Sequence, residues 1–165
     1  MIEINIANTV SNYKLIEQLA NVIWREHYIP ITGEGQVEHM LEKYQSETAI
    51  SSQIKDGFQY FIIYYDETPT GYLSIKKENE SLFLSKIYVL KEYRGKKIGK
   101  TAMLFVENKA KDMNCTKVVL TVNKNNTNSI LAYEKFGFKN LGSVVKDIGK
   151  GFVMDDYKME KPLQY

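Results

Sequence analysis

Apolar and polar residues alternate in the first segment, IEINIA, and this predicts a strand. From Tyr13 to Tyr28 the period lengthens: Leu15, Ile16, Leu19, Ile23 and Trp24 recur at helical spacing. Pro30, Gly33 and Gly35 are expected to break that helix. A second helix carries Val37, Met40, Leu41 and Tyr44, and a short third one runs from Glu47 to Asp56, stopped by Gly57. FQYFIIYY (58–65) reads as a strand and DETPTG as a turn. YLSIKK and SLFLSKIYVL are two further strands, split by ENES. A long helix spans Ile98 to Met113. TKVVLTVN is the next strand and TNSILAYEKF a helix with Gly137 as its C-cap; FKNLGSVV and GFVMDDYKME close the chain as strands.

The resulting order is β-α-α-(α)-β-β-β-α-β-α-β-β, an α/β chain with a mixed sheet of about seven strands flanked by helices. The long helix after the fourth strand is a crossover, so the fourth and fifth strands are expected to be parallel neighbours, and strands two to four an antiparallel meander. The pattern contains no repeat and no linker, so residues 1–165 are expected to form a single domain. The 44% hydrophobic and 25% charged residues of the 165 fit a globular core. The lone cysteine, Cys115, allows no internal disulfide, and no apolar run approaches the ~20 residues of a membrane span. Together with an N-terminus lacking the marks of a signal peptide, this predicts a cytoplasmic protein with no membrane partner. A net charge of +2 is too small to argue for nucleic acid.

What charge there is gathers locally. Between the fourth strand and the long helix, Lys91, Arg94, Lys96, Lys97 and Lys100 surround Gly95 and Gly99. A helix N-terminus offers unpaired N–H groups and a partial positive charge, glycine admits close approach of a bulky ligand, and cations add attraction. This is an anion site suited to a phosphate or pyrophosphate. Taken alone, the stretch reads equally well as a solvated loop, since RGKKIG matches neither a Walker loop nor a dinucleotide fingerprint.

A second block changes the balance. YRGKKIG after the strand LSKIYVL, followed one helix and one strand later by Asn126, Ser129, Tyr133, Gly137 and Phe138 in the pattern N-x-x-[AS]-x-x-x-Y-x-x-x-G-F, resembles the GCN5-related N-acetyltransferase (GNAT) superfamily. The likeness covers Phe58 to the end well, and the N-terminal helices by position. It departs at Lys97, where glycine is usual; a β-carbon there is tolerable if the local φ is negative. The resemblance implies a mostly antiparallel sheet with parallel strands four and five splayed, and acetyl-CoA as cofactor. It implies that Ile87, Tyr88 and Val89 give backbone contacts to the pantetheine arm, with the Val89 N–H polarising the acyl carbonyl. Arg94, Gly95, Lys96, Lys97, Ile98, Gly99 and Lys100 would then hold the pyrophosphate, and Asn126, Ser129 and Tyr133 would contact the cofactor further along.

Tyr133 also takes the role of general acid toward the departing thiolate, since a tyrosine is protonated at neutral pH. As a ring on an amphipathic helix among Ile130, Leu131 and Phe136, it reads otherwise as a core aromatic. The fourth strand carries no carboxylate, so the general base is left among Glu34, Asp155, Asp156 and a water chain, while Lys86 is expected to be an exposed residue. Acceptor-binding candidates are Trp24, Tyr28, Glu34, Asp155 and Asp156, with Glu38 beside them; aromatic rings and carboxylates suit a cationic amine. These stretches weakly resemble bacterial PaiA-type polyamine acetyltransferases. The function implied is acetyl transfer from acetyl-CoA to the primary amine of a small, cationic acceptor, by direct attack in a ternary complex. Acetylation of a protein N-terminus or lysine, or CoA binding with little catalysis, stand as alternatives. His27 and His39 suggest no metal site. The terminal hairpin, with Phe152, Met154 and Met159, suggests a homodimer.

Overall fold

The computed structural model describes residues 1–164. The elements follow the expected order: β1 Ile2–Ile6, α1 Val10–Thr32, α2 Glu34–Tyr44, α3 Glu47–Lys55, β2 Gln59–Tyr65, β3 Thr68–Glu78 and β4 Ser81–Val89, then a 3₁₀ turn at Lys91–Tyr93. After it come α4 Ile98–Asp112, β5 Lys117–Asn123, α5 Thr127–Lys135, β6 Lys139–Gly149 and β7 Phe152–Pro162. The strands form one seven-stranded sheet in the order β1-β2-β3-β4-β5-β7-β6. β4 and β5 are parallel, paired over Ser81↔Lys117, Leu82↔Val118 and Phe83↔Val119. The pairs β1–β2, β2–β3, β5–β7 and β6–β7 are antiparallel.

The chain forms two compact units. The first comprises Met1–Lys76 with Ser85–Val106, and the second Lys77–Leu84 with the chain from Glu107 onward. In the first unit, α1 starts at a capping box: the Asn12 N–H donates to Thr9 Oγ1 at 3.2 Å, and the Thr9 N–H donates to Asn12 Oδ1 at 3.3 Å. Ile16, Leu19, Ala20, Ile23 and Trp24 then bury one stripe of the helix. The expected break at Pro30 does not occur. Proline removes one N–H, whose partner would be the carbonyl of the exposed Glu26, and water is free to take that place. The helix ends instead at Gly33, φ 88°.

The turn DETPTG is also shorter than expected. Only Asp66 and Glu67 turn, both left-handed (φ 47° and 69°), which matches the twist of a two-residue hairpin, and Thr68 to Gly71 already belong to β3. The register shifts at Ile63/Tyr64, where the Thr70 hydroxyl donates to the Ile63 carbonyl at 3.1 Å. Tyr60, Phe61, Ile62 and Ile63 are buried in succession, the mark of a strand covered on both faces.

β3 then fixes the end of β4. A β-carbon at Gly71 would lie 2.2 Å from the Tyr88 carbonyl oxygen and 3.0 Å from Val89 Cα, so only glycine fits. The Leu90 N–H donates to the Thr70 carbonyl at 2.8 Å. In the second unit, Val118, Leu120 and Val122 of β5 form a buried face, with Leu120 opposite the buried Met159 of β7.

Candidate active site

In the first unit, β4 delivers Ile87, Tyr88 and Val89, each partly exposed, and the chain then turns through Leu90 into the basic loop. Arg94, Gly95, Lys96, Lys97, Gly99 and Lys100 are exposed. Ile98 is buried and anchors the first turn of α4, so it has only its backbone to offer a ligand. The last turn of α4 holds Lys109 and Lys111, as the helix dipole favours, while its first turn holds no acidic residue to offset the positive end of that dipole. Lys96 Nζ stands 5.5 Å above the Tyr65 ring.

Lys97 departs from expectation: its φ is +64°, not negative. A lysine in this left-handed region costs about 1–2 kcal/mol. It is held there by two donors to its carbonyl, the Thr101 N–H at 3.1 Å and the Thr101 hydroxyl at 3.0 Å. Gly95 at φ 82° needs glycine for the same conformational reason. Gly99 is different. A β-carbon there would meet nothing within 4 Å, so no contact of the chain itself demands glycine at that point.

The same unit holds the aromatic candidates. Trp24 is buried as core packing and stacks on Tyr28, with centroids 4.3 Å apart and planes at 27°. Tyr88 meets both rings edge-on, at 5.5 Å from Trp24 and 6.2 Å from Tyr28, and lies 5.4 Å from Tyr72. Burial holds the Tyr72 hydroxyl well above the usual tyrosine range, against a smaller opposing pull from Trp24. Glu34 opens α2. Glu38, by contrast, is spent on an exposed ion pair with Arg25, which pulls its carboxyl below the usual range.

In the second unit, Asn126 is buried at the start of α5 and Ser129 is partly exposed. Tyr133 is no core aromatic on an amphipathic helix. No residue of α5 is buried and Leu131 is 53% exposed. Its place follows from the helix end. The Phe138 N–H donates to the Tyr133 carbonyl (3.0 Å) and the Gly137 N–H to that of Glu134 (3.0 Å), with Gly137 at φ 99°; this is a Schellman motif. The Tyr133 and Phe138 rings make the hydrophobic contact that accompanies it, centroids 5.7 Å apart. The spacing Y-x-x-x-G-F is thus a helix terminus that fixes the tyrosine's backbone and one side of its ring.

Adjacent on β7, Asp155 and Asp156 face opposite sides, as strand geometry requires. Asp155 is exposed and bridges to Lys124 at 2.7 Å. Asp156 is half-buried. Burial first, then the charge of Asp155, raise its carboxyl to about 6, against pulls from the Thr121 hydroxyl and Lys124.

Comparison with known proteins settles the family. A model of the acetyltransferase (GNAT) family matches residues 16–138. The chain belongs to the GNAT family. It is 27% identical over 153 residues to a spermidine N(1)-acetyltransferase of Thermoplasma acidophilum, covering 89% of this chain and 92% of that one. A solved PaiA N-acetyltransferase from the same organism, in complex with coenzyme A, superposes with a TM-score of 0.80 at 26% identity over 99% of each chain. An N-alpha-acetyltransferase 30 of Dictyostelium discoideum is 28% identical over 129 residues, 69% of this chain and 68% of that protein. This GNAT protein is therefore an N-acetyltransferase that uses acetyl-CoA, with PaiA-like relatives, and among its described residues no helix is long and apolar enough to cross a membrane.

One residue was misread from sequence. Lys86 is not exposed: it is only 6% accessible. It donates to the Tyr44 carbonyl, to the Tyr60 hydroxyl and to Gln53 Oε1, the last at 3.1 Å. Strand alternation with Leu82 and Leu84 places it on the buried face, a position lysine rarely takes. Burial pushes its ammonium down to about 7. In the unfolded chain the same group stays charged until about 10.4. Between these values the unfolded chain binds the extra proton, so the lysine's contribution to stability rises with pH. Wild type should therefore gain stability relative to Lys86→Met from pH 7 to pH 10 in urea titrations; a difference that is flat or falls would contradict the buried placement.

Proposed function

We propose that this enzyme acetylates the primary amine of a small, cationic acceptor, with residues 1–165 acting as one acetyltransferase domain. The observation that carries the cofactor side is Gly99. No neighbour in the chain calls for glycine there, in a helix, where alanine is the better former, and this supports a ligand pressed against the helix N-terminus. In this reading the exposed cations Arg94, Lys96, Lys97 and Lys100 and the first N–H groups of α4 hold the pyrophosphate. Ile87, Tyr88 and Val89 receive the pantetheine by backbone hydrogen bonds, and the Val89 N–H polarises the acyl carbonyl. The strained Lys97 fits a site where conformational cost is accepted for charge.

Asn126 and Ser129 contact the cofactor and Tyr133 donates a proton to the departing thiolate. Its ring is fixed by Phe138 while its hydroxyl end remains in a partly exposed side chain. Asp156 takes the role of base, because a carboxyl raised to about 6 accepts a proton at neutral pH more readily than an ordinary one. The acceptor is read from the Tyr28 and Tyr88 rings, with Trp24 packed against them, and Glu34 in the first unit; Asp155 and Asp156 of the second unit stand as separate candidates. A cationic amine is supported by the polyamine relative and by these rings and carboxylates. The N-alpha-acetyltransferase relative favours a second reading, a peptide N-terminus as acceptor.

The enzyme is read as cytoplasmic and as a homodimer. β6 is the last strand of the sheet, and it and its partner expose Leu141 (51%), Val145 (64%) and Val153 (48%). Val145 and Val153 share a face, since they pair with Asp155 and Asp147. Met159, proposed from sequence as part of this surface, is fully buried. A second copy pairing at this edge covers both the strand and its apolar residues; light scattering should give twice the chain mass at micromolar concentration, and a monomer would remove this part.

Gly99→Glu should weaken acetyl-CoA binding at least tenfold, about 1.4 kcal/mol by calorimetry, with the fold intact; unchanged affinity would sink the loop assignment. Tyr133→Phe keeps the ring and the helix terminus, so stability should hold while kcat falls ~10²-fold. Turnover near wild type would leave Tyr133 with its structural role only.

A further inference from the structure

A lysine in the interior calls for a reason. Lys86 lies on the same face of β4 as the buried Leu82 and Leu84, one residue ahead of Ile87–Val89. Its Nζ reaches three elements: the Tyr44 carbonyl at the end of α2, Gln53 Oε1 on α3 and the Tyr60 hydroxyl on β2, with the Tyr60 ring 5.0 Å away. These partners bond to one another as well. Gln53 Nε2 donates to the same Tyr44 carbonyl at 3.1 Å, and the Tyr60 hydroxyl donates to Gln53 Oε1. A leucine or methionine would fill such a site without removing a charge from water, and no carboxylate is among the groups that act on Lys86.

We propose that Lys86 is a positioning residue for acetyl transfer, a buried clamp that ties β4 to α2, α3 and β2 just before the segment whose backbone receives acetyl-CoA. The inference rests on the assignment of Ile87–Val89 to the cofactor. A strand that contributes backbone N–H groups to a ligand cannot use those groups to fix itself, so its place must be set by side chains and by its other neighbour. Gly71 and Thr70 of β3 hold one edge; Lys86 holds the face. Small misplacements at such a point are costly to rate.

The titratable groups facing Lys86 are Tyr60 on β2 and, beyond it, Tyr72 on β3, both kept protonated by burial. α2 and α3 present a carbonyl and an amide, which do not titrate. When Lys86 is neutral, its two N–H groups serve the Tyr44 carbonyl and Gln53 Oε1 while the Tyr60 hydroxyl keeps its own bond to Gln53, so every partner is met without a buried charge. When it is an ammonium, water competes for the site. The clamp therefore holds best above about pH 7 and loosens below.

The test is steady-state kinetics of wild type and Lys86→Met from pH 6 to 9, with hydrogen exchange of the Ile87–Val89 amides with and without acetyl-CoA. The ratio of the two enzymes' kcat values cancels the ionisations of amine and cofactor. We expect kcat to fall about tenfold or more at pH 8 with the amine KM within about twofold. The wild-type advantage should shrink as pH falls through 7, and Lys86→Arg, whose charge persists, should not restore it. Amides that acetyl-CoA protects in wild type, together with an unchanged kcat and a flat ratio in Lys86→Met, would overturn the inference alone. No protection in wild type would overturn the cofactor assignment and the inference with it. Should Lys86→Met fail to fold, Tyr60→Phe decides: removal of the hydroxyl takes an acceptor from the ammonium and should move the midpoint near pH 7 down, and an unmoved midpoint counts against the clamp.

Discussion

The close approach of Gly71 to the Tyr88 carbonyl is the contact on which the first unit turns. It brings β3 against the last residues of β4, where the Leu90 N–H bonds the Thr70 carbonyl and the chain leaves for the basic loop. β4 pairs with β5 over Ser81–Phe83 but runs on to Val89. A strand in that situation must be held by something other than a full ladder on both sides. β3 supplies one edge, and Lys86, set among Tyr44, Gln53 and Tyr60, supplies a buried polar anchor. Anything bound at the far end of β4 is placed by these two fixings.

The electrostatics follow the same division. In the interior, burial disfavours charge, and Lys86 is driven toward its neutral form with hydrogen-bond partners around it. At the surface, cations collect at the N-terminus of α4, where exposed N–H groups already favour an anion. Between these extremes stands Asp156, half-buried beside Asp155, its carboxyl raised to about 6. An acyl transfer from a thioester needs an anion site for the carrier, a polarised carbonyl and proton traffic near neutrality.

Much of this was legible in the sequence because the signals were periodic or local. The helical stripe from Ile16 to Trp24, the continuous apolar run of β2 and the glycine after Phe136 each state their own structure. The block from Asn126 to Phe138 was legible twice over, as a family pattern and as a helix terminus, and the geometry shows why: Tyr133 and Phe138 are the two sides of one Schellman contact. What failed had local causes in two places and distant partners in a third. Pro30 looked like a stop, but its lost bond falls at an exposed carbonyl. Thr68 to Gly71 looked like a turn, but two left-handed residues, Asp66 and Glu67, suffice. Lys86 looked like surface, because nothing local announces that Tyr44, Gln53 and Tyr60, 42, 33 and 26 residues away, will assemble around it.

In the proposed function, this GNAT enzyme moves an acetyl group from acetyl-CoA to a small cationic amine. It is tested most directly by release of free thiol from acetyl-CoA with a panel of acceptors: polyamines, uncharged and anionic primary amines, and short peptides with free N-termini. Polyamines should give the highest kcat/KM, with the rate rising from neutral pH toward roughly 8–9 as the amine loses its proton. A peptide, an uncharged amine or an anionic amine as the preferred acceptor would contradict it.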